Sequence, residues 1–299
     1  MNNQADILFS IIIPTYNRAH TLKRAVQSVL SQTYQQFELI IVDDGSTDNT
    51  EEVVQSITDE RVRYFKKKNE ERNIARNFGI CSAQGSYVCF LDSDDYLLSH
   101  HLHTALDLIL KVENPEVFHL GYKVENEQGQ TLQENKNLSS NVSEVLIKEN
   151  VLSCNAIFLR RNIAQEYQFI PSKDVITSED WYVWLRLASR FPIHIDNTVT
   201  SVVVEHEQRS LRDINPDKLI KGTKIIIDHL QDDRSFGRKY GKQVARFYAD
   251  KYTLISLVLS LLKNRRREVV YYLIKAFQYD WQVVGRKRFL ASIKHIFIS

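Results

Sequence analysis

The stretch Gly85-Ser86-Tyr87-Val88-Cys89-Phe90-Leu91-Asp92-Ser93-Asp94-Asp95-Tyr96-Leu97 decides the fold. Tyr87 to Leu91 is a short apolar run between Gly85 and a group of carboxylates. That is the pattern of a strand buried on both faces of a parallel sheet. At its carboxyl end stand three acids in four positions, Asp92, Asp94 and Asp95. Like charges this close repel and raise one another's pKa, and a cation among them relieves the strain. Oxygen ligands suit Mg²⁺ or Mn²⁺, which bind through one or two carboxylates plus the phosphates of a substrate. The simpler alternative is an acidic loop capping the next helix; three features elsewhere in the chain point instead to a site.

Upstream, Leu8 to Ile13 is a first apolar strand, followed by the turn Pro14-Thr15-Tyr16-Asn17-Arg18. Leu22, Ala25, Val26, Val29 and Leu30 recur at helical spacing and predict a helix over about 20–33. Phe37 to Val42 is a second strand ending in Asp43-Asp44-Gly45-Ser46, with Ser46 or Thr47 expected to cap the next helix. Val62 to Phe65 is a third strand, and a helix over about 70–84 carries Arg72, Arg76 and Asn77. Strand and helix alternating at this cadence predict a doubly wound α/β half, whose ligands sit outside the carboxyl ends of the strands. Three strand ends here carry polar clusters: Tyr16-Asn17-Arg18, Asp43-Asp44 and Asp92-Ser93-Asp94-Asp95. No Gly-x-Gly-x-x-Gly follows the first strand and no Gly-Lys-Ser/Thr loop occurs, which argues against a dinucleotide cofactor and a P-loop nucleotidase.

Downstream, the pattern predicts a helix over about 99–112, a strand from Val117 to Val124, a polar segment with a hairpin at Gln128-Gly129, and a strand from Ala156 to Leu159. Ser178-Glu179-Asp180 opens a helix, with Ser178 at its N-cap. Ile193 to Val204 reads as one strand or two, ending in Glu205-His206. From Pro216 the chain reads as helical, with Gly237, Gly241 and Gly285 as breaks. Residues 1–212 and 213–299 are thus expected to form an α/β domain and a helical region.

The 299 residues nearly balance in charge, at +2, but the two parts do not. From Asp217 onward 18 Lys/Arg face 7 Asp/Glu, a net of +11, while the first 216 positions net −9. Such asymmetry suggests an anionic partner for the tail, a membrane surface or a nucleic acid. Three widely spaced cysteines, Cys81, Cys89 and Cys154, with no Cys-x-x-Cys, argue against zinc and a disulfide framework and fit a reducing compartment. The polar start predicts no signal peptide. The most apolar run, near Leu254 to Leu262, falls short of the ~20 residues of a spanning helix. A cytoplasmic chain, free or held peripherally at the inner membrane face, is the expectation.

Five motifs in order carry a resemblance: Ile-Pro-Thr-Tyr-Asn-Arg (13–18), Val-Asp-Asp-Gly-Ser (42–46), Ala75-Arg76-Asn77-Phe78-Gly79, Leu91-Asp92-Ser93-Asp94-Asp95 and Ser178-Glu179-Asp180-Trp181. Over roughly residues 8–210 the chain resembles the family 2 glycosyltransferases of the GT-A fold, a nucleotide-sugar-binding α/β fold with a mostly parallel central sheet flanked by helices. The resemblance implies a metal-dependent inverting transfer of one sugar from a UDP-sugar to a saccharide or lipid-linked saccharide in bacterial surface-polysaccharide assembly. It implies Pro14, Thr15, Tyr16, Asn17, Arg18, Asp44, Arg76, Asp92, Ser93 and Asp95 around the donor, with Asp44 accepting the nucleobase imide N–H. It gives Asp94 and His206 to Mn²⁺ or Mg²⁺, Asp180 to the general base, and Glu179 and Trp181 to the acceptor. Apart from the resemblance, Glu179 and Asp180 suit the positive end of their helix, and core packing is the ordinary role of Trp181 and Trp184. The Gln-x-x-Arg-Trp motif of processive synthases is missing, as are spanning helices, so a single transfer is expected.

The tail interleaves Lys263-Asn264-Arg265-Arg266-Arg267 and Arg286-Lys287-Arg288 with aromatic and aliphatic residues. That suits an anionic membrane surface or a helical subdomain with a solvated basic face; no nucleic-acid motif is present. The rival readings are a catalytically inactive nucleotide-sugar-binding module, a haloacid-dehalogenase-type phosphohydrolase and a nucleotidylyltransferase. The last two need features after the first strand that Pro14-Thr15-Tyr16 does not supply.

Overall fold

The structure is a computed structural model that describes residues 7–134, 137–139, 141–206, 215–262 and 264–298. Ser210, Lys263 and the expected boundary at 212/213 lie outside the described residues. In chain order the elements are β1 Phe9–Thr15, α1 Ala19–Leu30, β2 Phe37–Asp43, α2 Thr50–Gln55, β3 Val62–Lys66, α3 Arg72–Ser82, β4 Tyr87–Phe90 and β5 Tyr96–Leu97. There follow α4 His101–Lys111, β6 Val117–Asn126, β7 Thr131–Gln133, α5 Val142–Leu146, β8 Ile157–Arg160, α6 Arg161–Glu166, α7 Glu179–Ala188 and β9 Ile193–Glu205. The carboxyl-terminal helices are α8 Pro216–Gln231, α9 Arg234–Tyr240, α10 Gln243–Ser260, α11 Arg266–Tyr279 and α12 Lys287–Ile298.

Contacts divide the described chain into two compact units. The first holds residues 7–143, 151–173 and 190–206; the second holds 144–150, 174–189, 215–262 and 264–298. The segment with Ser178-Glu179-Asp180-Trp181 therefore belongs with the carboxyl-terminal helices.

The first unit is built on one sheet in the order β3-β2-β1-β4-β8-β6-β9-β5, with β7 added to β6. β3, β2, β1 and β4 run parallel. β8 joins antiparallel to β4 and β6, and β9 runs parallel to β6 and antiparallel to β5. All seven residues of β1 and of β2 are buried, which is why both read as unbroken apolar runs. Each buried Ile or Leu in them contributes roughly 1.5–3 kcal/mol relative to exposure. α3 lies close on β1: a Cβ added at Gly79 would stand 2.4 Å from Ile12 Cγ2. Gly85 is similarly confined: a Cβ added there would stand 2.6 Å from the Leu8 carbonyl oxygen.

The second unit packs α7 to α12 around the fully buried Trp184 and the rings of Phe236, Phe247 and Tyr248. Asn215 caps α8, its side chain accepting from Asp217 N and Lys218 N, with Pro216 in the first turn. Asp233 caps α9 and also accepts from Arg186 Nε. No helix among the described residues is long and apolar enough to cross a membrane.

Several local expectations change. α2 begins at Thr50, beyond Ser46 and Thr47; Asp48 Oδ1 takes the Thr50 N–H and hydroxyl instead. Ser178 precedes α7 but makes no capping bond, because it sits in the left-handed region at φ 59°. Asp180 Oδ1 accepts the Trp181 N–H there. Gly237 lies inside α9, while Gly241, at φ 49°, ends it.

Candidate active site

The carboxyl ends of β1, β2 and β4 adjoin one another because their register is parallel: Thr15 pairs with Asp43, and Ile12 with Phe90. The loop after β1 turns on Asn17, a residue that tolerates the positive φ of 51° it adopts. Asn17 N–H donates to Ser46 Oγ at 2.9 Å, and Asn17 Oδ1 accepts the Thr47 N–H at 2.8 Å. Asn17 thus clamps the first loop to the second. Tyr16, beside it, is 47% exposed and presents an aromatic ring at the rim. Pro14 and Thr15 are buried within β1, and Thr15 Oγ1 has no hydrogen-bond partner among the described residues. Arg18 precedes α1, its carbonyl accepting the Leu22 N–H.

The two aspartates after β2 hold loops in place. Asp43 accepts from Ser46 N–H and from the Tyr64 hydroxyl. Asp44, 3% exposed, takes the Lys67 ammonium and the N–H groups of Glu70 and Glu71, so it shapes the entry to α3. Burial works against the Lys67 charge, but bonds to Asp44 and Glu70 outweigh it and raise the pKa.

The acidic loop after β4 divides its roles. Asp92 Oδ1 accepts from the Arg76 guanidinium at 2.6 Å. Arg76 is 2% exposed and lies over the Phe169 ring. Ser93 is buried. Asp95, 1% exposed, is spent on the framework: Oδ1 accepts the Val204 N–H of β9 at 2.7 Å, and Oδ2 accepts from Asn155 Nδ2 at 2.5 Å. Asn155 Oδ1 in turn takes the Asp92 N–H. Between these anchors stands Asp94, whose Oδ2 is 2.9 Å from His206 Nε2. The Arg24 guanidinium donates to the Asp94 carbonyl.

Asp94 and His206 are thus the carboxylate and imidazole that the structure brings together, across 112 positions of sequence. Among the described residues no group of three or more His, Cys, Asp or Glu could hold a metal. A pair still fits a hard divalent ion, which takes one or two protein ligands and fills its other positions with substrate phosphate oxygens.

Residues that the sequence reading passed over are Asn155, Arg24 and Lys67. Asn155 sits in the 3-10 turn Cys154–Ala156, a setting with no pattern to mark it.

In the second unit, Glu179 is 4% exposed, and Asp180 Oδ2 accepts from Asn150 Nδ2 at 3.1 Å. Trp181 donates its indole N–H to the Leu146 carbonyl at 2.7 Å. The Lys251 ammonium lies 3.9 Å from the centre of the Trp181 ring. Trp184 is core, as its spacing predicts.

A family model described as Glycosyl transferase family 2 matches residues 10–167. An uncharacterized glycosyltransferase of Rickettsia felis is 34% identical over 233 residues, 76% of this chain and 38% of that protein. The UDP-Glc:alpha-D-GlcNAc-diphosphoundecaprenol beta-1,3-glucosyltransferase WfgD of Escherichia coli is 29% identical over 206 residues, 66% of this chain and 74% of that one. The chain spans 38%, 42% and 31% of the lengths of three Rickettsia relatives that match over 73% or more of it. Among solved structures, S. aureus TarS 1–349 in complex with UDP-GlcNAc superposes with a TM-score of 0.64 at 18% identity, covering 92% of each chain. The mannosyltransferase PcManGT from Pyrobaculum calidifontis, in complex with GDP-Man and Mn²⁺, gives 0.54 at 17% identity, covering 91% of this chain and 86% of that one.

Proposed function

We infer what this chain does from the premise that it belongs to glycosyl transferase family 2. The reading is transfer of one sugar from a UDP-sugar to a lipid-linked saccharide, without processive extension. The single observation that carries it is the rim after β1, β2 and β4, with exposed Tyr16 after β1 and, after β4, Asp92 paired with Arg76 of α3 and Asp94 paired with His206 beyond β9. The WfgD relative supports a UDP donor and a diphosphate-linked lipid acceptor. The PcManGT complex supports a divalent metal.

In this reading Tyr16 stacks on the nucleobase and Asp44 offers its carboxylate to the imide N–H, with Pro14 and Thr15 forming the pocket wall. Asn17, Ser93 and Asp95 hold the donor loops in position. Arg18 faces phosphate and ribose oxygens, which a guanidinium matches, and buried Arg76 positions the Asp92 carboxylate on the donor side. Asp94 and His206 would hold Mn²⁺ or Mg²⁺, and the ion would supply positive charge toward the departing diphosphate. Asp180 accepts the proton of the attacking acceptor hydroxyl as the new bond to the anomeric carbon forms. The bond from that carbon to the diphosphate oxygen breaks in the same displacement, so the configuration inverts and UDP leaves. Asn150 orients the Asp180 carboxylate, and Glu179 and Trp181 serve the acceptor side.

A membrane position is part of the same reading. α11 exposes Val270, Tyr271, Ile274 and Phe277, each at least 44% exposed and at helical spacing, beside Arg266 and Arg267. An apolar face with neighbouring cations suits an anionic lipid surface.

The test is a panel of nucleotide sugars with Mn²⁺ or Mg²⁺, read by thermal shift and donor hydrolysis. One UDP-sugar should stabilise the wild type only with metal. Asp94→Ala should lose that shift, while Asp180→Ala should keep it and lose turnover. If no nucleotide sugar binds with any metal, the glycosyl-transfer reading falls; metal-dependent binding without turnover leaves a catalytically inactive nucleotide-sugar-binding module.

A further inference from the structure

A cavity of about 400 Å³ lies wholly within the second unit, walled by Trp181 of α7, by Phe247, Asp250 and Lys251 of α10, and by Arg286 to Arg288 at the start of α12. Its lining is cationic. Lys148, Lys287 and Arg288 are exposed at its edge, and Lys251 is 8% exposed. Arg286 is already engaged, donating to Asp250 and to Asp280. Asp250 is the one carboxylate in the wall and is the partner of Arg286.

Lys251 is the residue that the fold leaves unexplained. Its ammonium makes no hydrogen bond or ion pair with any described residue; it rests on the rings of Trp181 and Phe247 at 3.9 and 5.3 Å. A buried cation without a hydrogen-bonded counter-charge is costly. Burial first, then repulsion from Arg288, drive its pKa down to about 7, against attraction from Asp180 and Asp250. An anion entering the cavity would remove that cost.

We propose that this cavity binds the diphosphate of a lipid-diphosphate-linked saccharide acceptor, with Lys251 and Arg288 as its principal ligands. The proposal rests on the glycosyl-transfer reading above. Three observations select the acceptor's diphosphate over the donor's. The residues assigned to the donor and its metal, Arg76, Asp92, Asp94 and His206, all belong to the first unit. Asp180, the proposed base, belongs to the second unit and must meet the acceptor hydroxyl. The exposed apolar face of α11, suited to a lipid chain, lies in the second unit as well. The volume exceeds that of a lone phosphate and lies in the range of small-molecule sites.

The experiment titrates inorganic pyrophosphate calorimetrically in the presence of EDTA, so that no metal-assisted binding contributes. Wild type should bind. Lys251→Met and Arg288→Gln should each weaken binding by about tenfold, the loss of one charge-assisted contact, and Asp94→Asn should bind as wild type does. Arg288 is exposed, so its variant reports even if Lys251→Met folds poorly. In turnover assays the KM for a diphosphate-bearing acceptor should rise by about tenfold in both variants, against no comparable rise for an alkyl glycoside of the same saccharide. No pyrophosphate binding by wild type, equal binding by the variants, or loss of binding in Asp94→Asn would overturn the site. A KM increase that falls on the UDP-sugar would overturn the acceptor assignment. Binding of a UDP-sugar with Mn²⁺ is measured separately on the same proteins. Its failure, with pyrophosphate still held through Lys251, would sink the glycosyl-transfer reading and the acceptor assignment but leave the anion site standing.

Discussion

Asp92, Asp94 and Asp95 are neighbours with three different tasks. Asp95 ties β9 and the Asn155 turn to the loop, Asp92 takes Arg76, and Asp94 meets His206. Asn155 is the residue on which the arrangement turns, since it serves Asp92 and Asp95 together. Asn155→Ala should therefore lower stability by about 2–3 kcal/mol, because it leaves a buried carboxylate and a backbone N–H short of partners; denaturant unfolding measures this. It should also weaken the metal-dependent donor shift although Asn155 touches neither group. Arg76→Met should cost about 3 kcal/mol and reduce donor affinity, since it strips the counter-charge from Asp92. An unchanged unfolding midpoint in either variant would count against this account of the loop.

At the scale of elements, β1, β2 and β4 were legible because burial on both faces writes them as continuous apolar runs. Their polar ends were legible as a rim because parallel register aligns those ends. Caps were not. Asp48, Ser178 and Gly237 look alike to a local rule, yet their roles depend on which N–H groups the tertiary fold leaves free. Glycine in a helix likewise has two meanings. Gly237 of α9 has open space where a side chain would go, whereas a Cβ added at Gly79 of α3 would stand 2.4 Å from Ile12 Cγ2. Gly79→Ala should accordingly destabilise by about 1–3 kcal/mol through overpacking, and Gly237→Ala should stabilise by up to about 1 kcal/mol; thermal melts of the pair separate the two. α11 supplies a third element-scale expectation. Ile274→Glu with Phe277→Glu should abolish sedimentation with anionic vesicles while leaving the melting temperature within a few degrees, since both side chains are about half exposed.

At the scale of the molecule, two histidines set an acid limit. His101 and His119 are buried in the first unit, and burial lowers the pKa of each to about 3. In the unfolded chain they bind protons near pH 6.5. The stability gained by keeping them neutral is complete above pH 6.5 and is lost as pH falls from 6.5 toward 3. Between pH 7 and pH 5 unfolding free energy should drop on the order of 2–4 kcal/mol, visible as a lower urea midpoint. A midpoint independent of pH over that span would refute the assignment. Neither histidine could be told from a ligand in the sequence, because only the packing around Phe158 and the Ser153 N–H donation to His119 define them as core. Lys251 escaped notice for the same reason: a lysine in a basic tail reads as solvated until the helices close over it. His206, by contrast, was singled out through the family resemblance together with its place just past a predicted strand, and the fold sets it beside Asp94, far away in the chain.

That distance has a consequence for how the protein is made. Asp94 and His206 are 112 residues apart, so the first leaves the ribosome while the second is still untranslated, an interval on the order of ten seconds at ordinary elongation rates. The pair proposed above to hold a metal is therefore completed only once β9 has been translated and has joined the sheet.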